Sequence, residues 1–170
     1  IKEFKTSTAL GMDFLEIQFL RDLDEESLKG LAALLDRVEQ LVCWPGHLLL
    51  NIIVLMGKPG GGVRPIALMP MLYRLWAKIR KVQIQEWDVD HRGPWDAAVR
   101  GSSALRAGLL SAFGDELSSL SKEEIAAILW DMAKFYDNIN IVKLLDEVYE
   151  TKYPPKVAAL GLQMHFAPRV

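Results

Sequence analysis

Three consecutive glycines at positions 60–62 separate two apolar segments, and this arrangement constrains the fold more than any other feature of the sequence. Residues 48–56 are apolar apart from Asn51 and include β-branched side chains, which predicts a buried strand. Residues 58–62 have the composition of a turn, so residues 63–69 are predicted to return as the second strand of a hairpin. Because Pro65 has no backbone N–H, this second strand is expected at an edge, or paired on one side at that point.

Helical periodicity flanks the hairpin on both sides. Residues 24–42 carry leucine and valine at the helical period, begin with acidic side chains and end before Trp44-Pro45-Gly46. Residues 71–87 show the same period, and a polar loop is predicted over residues 88–101.

A further helix and a further strand are predicted after this loop. Ser102 or Ser103 can cap a helix that runs towards Phe113. Residues 125–130 form an apolar run of strand length, and residues 121–124 before it fit a capping box.

Two helices are predicted near the end of the sequence. Asn138 or Asn140 can cap a helix over residues 141–149, and Pro154-Pro155 can begin the last helix, because proline is acceptable in a first turn. The order of helix, hairpin, helices, strand and helices predicts an α+β fold.

The composition allows one substantial core, with room for two lobes, because 51% of the 170 residues are hydrophobic. The longest apolar stretch, residues 48–56, is too short to span a bilayer, so no membrane partner is expected. Cys43 is the sole cysteine, which excludes an internal disulfide and favours an intracellular, reducing compartment. No secretory leader is visible, and a chain that begins with Ile rather than Met is expected to be a fragment.

The charges are unevenly distributed along the chain. The net charge of −2 lacks the basic footprint that is usual in nucleic-acid-binding proteins. Residues 51–110, however, hold nine Lys and Arg against four Asp and Glu, so this third is the predicted positive face. A solvated helix surface explains the same charge pattern equally well.

Lys58 and Arg64 flank the three glycines. Glycines let the backbone approach a bulky anion closely, with amides pointing at it. Lysine adds a mobile point charge and arginine a rigid fork that matches phosphate oxygens. The alternative is a flexible hairpin tip with two solvated cations, which this segment taken alone favours. The pattern is neither a Walker phosphate loop nor a dinucleotide fingerprint.

Asp131 follows directly after the apolar run of residues 125–130. A carboxylate at the end of a buried strand is expensive to desolvate unless a cation meets it, and Mg²⁺ with substrate phosphates is a suitable partner. Tyr136 lies five residues later, where its ring could border a ribose hydroxyl. Taken singly, each residue is better explained by a structural role: Asp131 as a helix cap, Tyr136 as a core residue and Asp137 as a turn residue.

Four short blocks occur in a definite order along nearly the whole chain. They are Ser7–Asp13 with a Gly-x-Asp, Lys58–Leu68 continued by Tyr73–Ile79, Val99–Ala104, and Asp131–Asp137. In this order and spacing they resemble the conserved blocks of the reverse transcriptases, especially those of non-LTR retroelements and group II introns. The last block is similar to the family's D-x-x-K-A-F-D, with Phe135 where alanine is commoner.

The resemblance implies the fingers and a partial palm of a right-hand polymerase, with the fingers over residues 1–120 and the first part of the palm over residues 121–170. The implied partners are an RNA template, a DNA primer, deoxynucleoside triphosphates, and the remaining palm and thumb of the full-length polymerase. The implied localisation is nuclear if the parent is a eukaryotic retrotransposon.

The resemblance also implies a role for each site residue. Asp131 would be catalytic and would ligate both Mg²⁺ ions, with help from the main-chain carbonyl of Met132. Lys58 and Arg64 would hold the triphosphate of the incoming nucleotide, and Tyr136 would occupy the ribose-gate position. Clamping and positioning, rather than covalent catalysis, would lower the barrier.

The family's second catalytic block, an adjacent Asp-Asp pair, has no counterpart, because the sequence contains no Asp-Asp dipeptide. One carboxylate cannot hold two divalent ions against their hydration. The chain is therefore expected to be a polymerase fragment, truncated before the Asp-Asp hairpin and inactive alone. The alternative is a non-catalytic, retroelement-derived remnant with at most nonspecific RNA binding.

Overall fold

The structure is a computed structural model that describes residues 1–2, 4–93, 96–98, 101–122, 124, 126 and 138–170. These residues form six α-helices and one antiparallel pair of strands, which confirms the α+β prediction. The elements are α1 (Ile17–Arg21), α2 (Glu25–Leu41), β1 (Ile52–Gly57), β2 (Val63–Leu68), α3 (Met71–His91), α4 (Ala104–Ser121), α5 (Ile141–Glu150) and α6 (Pro155–His165). Apart from Ala126, the predicted strand over residues 125–130 lies outside the described residues.

Three helices begin where a short polar side chain can satisfy a free backbone N–H. Asp24 accepts a hydrogen bond from the N–H of Ser27 at 2.8 Å and starts α2. Ser103 and Asn140 do the same for α4 and α5, each at 3.1 Å. Pro155 stands in the first turn of α6, where its missing N–H would be unsatisfied in any case. These starts agree with the predicted ones.

Two helices run further than predicted. α3 continues to His91, into the segment predicted as a loop, because no Gly or Pro interrupts it before that residue. α4 continues past Phe113 to Ser121, so the predicted capping box at residues 121–124 is wrong. Ser121 instead lies in the last turn of α4, where its hydroxyl donates to the carbonyl of Ser118 at 3.2 Å.

The strand predicted over residues 48–56 is confirmed from Ile52 onwards, but its predicted start and its predicted burial are wrong. Leu48 closes a short 3-10 turn, and β1 begins only at Ile52. The base of β1 is anchored through the buried Asn51, whereas the strand is exposed from Val54 onwards. β2 pairs with β1 alone in the described part of the chain, which confirms that Pro65 lies in an edge strand.

The described residues divide into two compact units, Ile1–Gln83 with Pro154–Val170 and Ile84–Tyr153. The first unit holds two apolar clusters. One consists of Leu35, Val38, Trp44, Leu48, Trp76, Leu160, Met164 and Ala167, and the other of Ile17, Leu20, Met71 and Leu75. The predicted fingers over residues 1–120 and palm over residues 121–170 are functional subdomains, and this division stays a prediction.

In the second unit, Trp87 contacts residues at the end of α3 and after α5. Its indole N–H donates to the carbonyl of Thr151 at 2.8 Å, and its ring packs edge-on against Tyr153 with centroids 5.0 Å apart. The ring of His91 stacks on the ring of Trp87, with centroids 4.5 Å apart. Burial raises the pKa of Tyr153, and the negative charge of Asp88 adds to this rise. These contacts tie the end of α3 to the segment that follows α5.

Candidate functional site

The glycine turn closes the hairpin between β1 and β2. The N–H of Lys58 donates to the carbonyl of Gly62, and the N–H of Gly61 donates back to the carbonyl of Lys58, both at 3.0 Å. Gly61 and Gly62 have φ angles of +89° and +82°, which side chains other than glycine rarely adopt. The predicted turn is therefore formed, and it depends on glycine at these two positions.

Lys58 and Arg64 lie at the same end of this hairpin. Lys58 directly follows β1, and Arg64 pairs across the ladder with Met56 near the end of that strand. Both residues are exposed. Neither side chain has a hydrogen-bond or ion-pair partner among the residues that the structure describes. Two cations are thus available to an anion beside the turn, although a solvated tip has the same geometry.

The other predicted site residues cannot be compared with this hairpin. Asp131, Met132 and Tyr136 lie outside the described residues. In the described ranges, no group of three or more His, Cys, Asp or Glu side chains could hold a metal ion. The Mg²⁺ site at Asp131 and Met132 and the ribose-gate role of Tyr136 stay predictions.

The block that contains Gly11 and Asp13 packs against the start of α3, a contact that the sequence did not predict. Pro70 precedes α3 and offers no side-chain acceptor, and Asp13 supplies one by accepting from the N–H of Leu72 at 3.1 Å. Gly11 is buried so closely that a Cβ there would lie 2.4 Å from the carbonyl oxygen of Met69. The first block of the resemblance therefore packs against the residues that join the two parts of the second block.

Arg74 secures the same contact from the helix side. Its guanidinium donates to the carbonyl of Ala9 at 2.7 Å. Burial lowers the pKa of Arg74, and the carboxylate of Asp13 opposes this change. The side chain of Arg74 thus stabilises the folded protein.

Two more cations of α3 contact other side chains of the protein. Arg80 forms a two-pronged ion pair with Glu39, whose carboxylate also accepts from the indole N–H of Trp76 at 2.7 Å. Lys78 lies over the ring of Phe4, 4.5 Å from its centroid. With Arg74, at least three of the nine cations between residues 51 and 110 make internal contacts among the described residues. Charge counting therefore overestimated the positive face.

The contacts of Glu39 with Arg80 and Trp76 shift the pKa of its carboxyl group. Burial alone would raise the pKa of its carboxyl, but the hydrogen bonds from Arg80 and Trp76, with the positive charges of Arg80 and Lys156, together outweigh burial. The pKa of Glu39 is consequently below its ordinary value, and the side chain carries its charge at neutral pH.

A cavity lies among the described residues of each unit. In the first unit, a cavity of about 280 Å³ is lined by Trp76, Pro154, Pro155 and the Glu39–Arg80 pair, among others. In the second, a cavity of about 500 Å³ is lined by Arg92, Asp96, Ser102 and Arg106, among others. Its charges are of both signs.

No protein-family model, curated protein or solved structure matches this chain. The class of protein is therefore defined by the fold alone, as a small α+β protein with an exposed, cation-bearing hairpin. None of the described helices is long and apolar enough to cross a membrane.

Proposed function

We propose that this chain is the fingers and first palm portion of an RNA-directed DNA polymerase of the reverse-transcriptase class. Together with the remaining palm, it would add nucleotides to a primer by two-metal phosphoryl transfer. The observation that carries the proposal is the glycine turn with the exposed Lys58 and Arg64 at one end of the hairpin. A mobile ammonium, a rigid guanidinium and a glycine backbone together suit the oxygens of a triphosphate.

Each proposed residue has a distinct role. Arg64 would bind phosphate oxygens in a fork, and Lys58 would add a charge that follows the triphosphate as it enters. Asp131 and the carbonyl of Met132 would hold Mg²⁺, which supplies charge stabilisation to the transferring phosphoryl group. The ring of Tyr136 would border the sugar and discriminate at its 2′ position.

The packing of the first block supports a positioning role for the start of α3. β2 ends at Leu68, only two residues before Pro70, so whatever holds the start of α3 also limits the movement of the hairpin. Asp13 and Arg74 hold it through two hydrogen bonds to backbone groups. A clamp for phosphate gains affinity when it is preorganised, because less freedom is lost on binding.

The decisive experiment is a titration of a deoxynucleoside triphosphate with Mg²⁺ into the wild type and three variants. Arg64→Ala and Asp131→Asn should each weaken binding by about 10- to 100-fold, the usual effect of losing one charge-assisted contact. Arg37→Ala is the matched control, because Arg37 is an exposed cation on α2 and should leave affinity unchanged. Equal affinity in all four proteins would refute the proposal.

The same proteins distinguish the non-catalytic alternative. A remnant that binds RNA through charge alone would bind duplex RNA with a steep salt dependence and no requirement for Mg²⁺. Asp131→Asn would not weaken that binding. This outcome, together with no nucleotide affinity, would favour the remnant over the polymerase fragment.

A further inference from the structure

The cavity of the first unit is built from α2, α3 and the beginning of α6, and it has a volume of about 280 Å³. The proposed polymerase roles use none of the residues that line it. Cavities that enclose drug-sized ligands have volumes of about 300–1,000 Å³. This cavity therefore suits a smaller ligand, of about one ring and one polar group.

The charged side chains that line this cavity leave it with one net positive charge. Glu39 contributes one negative charge, whereas Arg80 and Lys156 contribute two positive charges. Glu39 and Arg80 pair with each other, and Lys156 has no hydrogen-bond or ion-pair partner among the described residues. The charge of Lys156 nevertheless acts within the cavity, because it helps to lower the pKa of Glu39. The charge that remains for a ligand is therefore positive.

The carboxylate of Glu39 is already occupied, so the cavity does not suit a cation. Its Oε1 accepts from the indole N–H of Trp76 at 2.7 Å and from Nε of Arg80. Its Oε2 accepts from Nη2 of Arg80 at 2.6 Å. The third nitrogen of this guanidinium, Nη1, has no acceptor among the residues that the structure describes. The charged groups left for a ligand, Nη1 of Arg80 and Nζ of Lys156, are both donors.

The rest of the wall is largely apolar. Trp76, Pro154, Pro155 and Val157 line it. Trp76 is buried, and Val157 packs against the same apolar cluster, so this part of the wall is held in place by the core of the unit. Proline rings and an indole pack well against an aromatic ring. The cavity therefore combines donors for an anion with a surface for a ring.

The size of the net charge favours a carboxylate over a phosphate. A phosphate monoester carries about −1.5 to −2 charges at pH 7, which exceeds the single net positive charge of the cavity. Glu39 would repel this excess. A carboxylate carries one negative charge and accepts hydrogen bonds from both lysine and arginine.

We infer that this cavity is a binding site for a small aromatic monocarboxylate, a function that lies outside the proposed polymerase reaction. The carboxylate would accept hydrogen bonds from Nζ of Lys156 and Nη1 of Arg80, and the ring would lie against Trp76, Pro154 and Pro155. Arg80 belongs to α3 and Lys156 to α6, so the bound ligand would also link two helices that are distant along the chain.

An NMR titration of the 170-residue chain with phenylacetate tests the site, and the indole N–H of Trp76 is the reporter. Its resonance should shift saturably, with a Kd of about 1 mM or tighter in about 0.15 M salt. Acetate lacks the ring and 2-phenylethanol lacks the charge, so each should bind at least about tenfold more weakly. The inference is overturned if phenylacetate gives no saturable shift, or if either of the other two compounds binds as tightly.

Substitutions of two exposed lysines separate the site from general attraction to positive charge. Lys156→Gln should weaken phenylacetate binding by at least about tenfold, whereas Lys156→Arg keeps the charge and should bind within about threefold of the wild type. Lys81→Gln is the matched control, because Lys81 is an exposed cation of α3 that does not line the cavity. Circular dichroism at 222 nm checks that each variant folds. Equal affinities of Lys156→Gln and Lys81→Gln would contradict the inference.

Phenyl phosphate tests the choice of a carboxylate. It should bind no more tightly than phenylacetate, because its additional charge meets Glu39. Binding about tenfold tighter than that of phenylacetate would assign the cavity to phosphate esters and overturn the inference. None of these outcomes depends on Arg64, so failure of the polymerase proposal and failure of the carboxylate site are distinguishable.

Discussion

Replacing Glu39 by glutamine should destabilise the protein far more than removing an exposed ion pair. Glu39 and Arg80 have side chains that are 18% and 33% exposed, and the carboxylate accepts from Arg80 and from Trp76. Exposed pairs contribute roughly 0–1 kcal/mol and broken buried pairs cost about 3–5 kcal/mol. A half-buried pair with one neutral donor lies between them, so Glu39→Gln should lower the free energy of unfolding by about 2 kcal/mol.

Glu25→Gln is the matched control for this substitution. It breaks the Glu25–Lys29 pair of the same helix, whose side chains are 84% and 74% exposed. Helical pairs of this kind contribute about 0.3–0.5 kcal/mol. Urea unfolding at pH 7, followed by circular dichroism at 222 nm, gives both values. Equal losses in the two variants would refute the reasoning.

The pH dependence gives a second check on Glu39. Its folded pKa lies below the ordinary value of 4.5, because hydrogen bonds from Arg80 and Trp76 and the positive charges of Arg80 and Lys156 together outweigh burial. The stability it contributes is therefore fully present above about pH 4.5 and is lost as the pH falls through the folded pKa. The difference between wild type and Glu39→Gln should shrink over that acidic window. A constant difference would show that packing, rather than charge, causes the loss.

Three other outcomes are expected. Gly11→Ala should destabilise the protein by about 2 kcal/mol or more, because its Cβ would meet the backbone of Met69. Gly30→Ala within α2 places its Cβ against nothing and should stabilise the protein by about 0.5–1 kcal/mol. Thermal unfolding of the two variants checks both predictions. Gly61→Ala should destabilise the hairpin by about 1 kcal/mol, because Gly61 has a positive φ, whereas Gly60→Ala should not destabilise it. The exchange rate of the Met56 amide in each variant measures this difference. The 170-residue chain should extend no primer with Mg²⁺ and all four deoxynucleoside triphosphates, and DNA synthesis would contradict the role given to the missing Asp-Asp pair.

The sequence predicted the hairpin correctly but its burial incorrectly. A glycine turn between two β-prone segments is a local signal, and the ladder from Ile52 to Gly57 follows from it. Burial is not local, because an apolar strand is covered only if other elements pack on it. The exposed side chains of β1 could therefore not be read from the run of apolar residues.

The sequence likewise predicted only part of the candidate site. Lys58 and Arg64 were found from their positions beside the glycines, and they do lie at one end of the hairpin. Arg74 and Arg80 looked equivalent to them in sequence, yet both are held by internal partners. Residue type alone cannot separate a cation that binds a ligand from one that binds its own fold.

The sequence by itself determined the helix starts and the turn, because their partners are close along the chain. Asp24 and Asn140 each cap a residue three positions later, and Gly61 and Gly62 satisfy a backbone angle that needs no partner at all. These features depend on local sterics and hydrogen bonding.

Only the tertiary structure decided which polar groups hold the elements together. Asp13 reaches Leu72 across 59 positions, and Asn51 reaches the carbonyl of Met164 across 113. The Glu39–Arg80 pair spans 41 positions. Such partners meet only after apolar burial has brought distant segments together, and the direction of each helix then determines which of several similar side chains is close enough to bind.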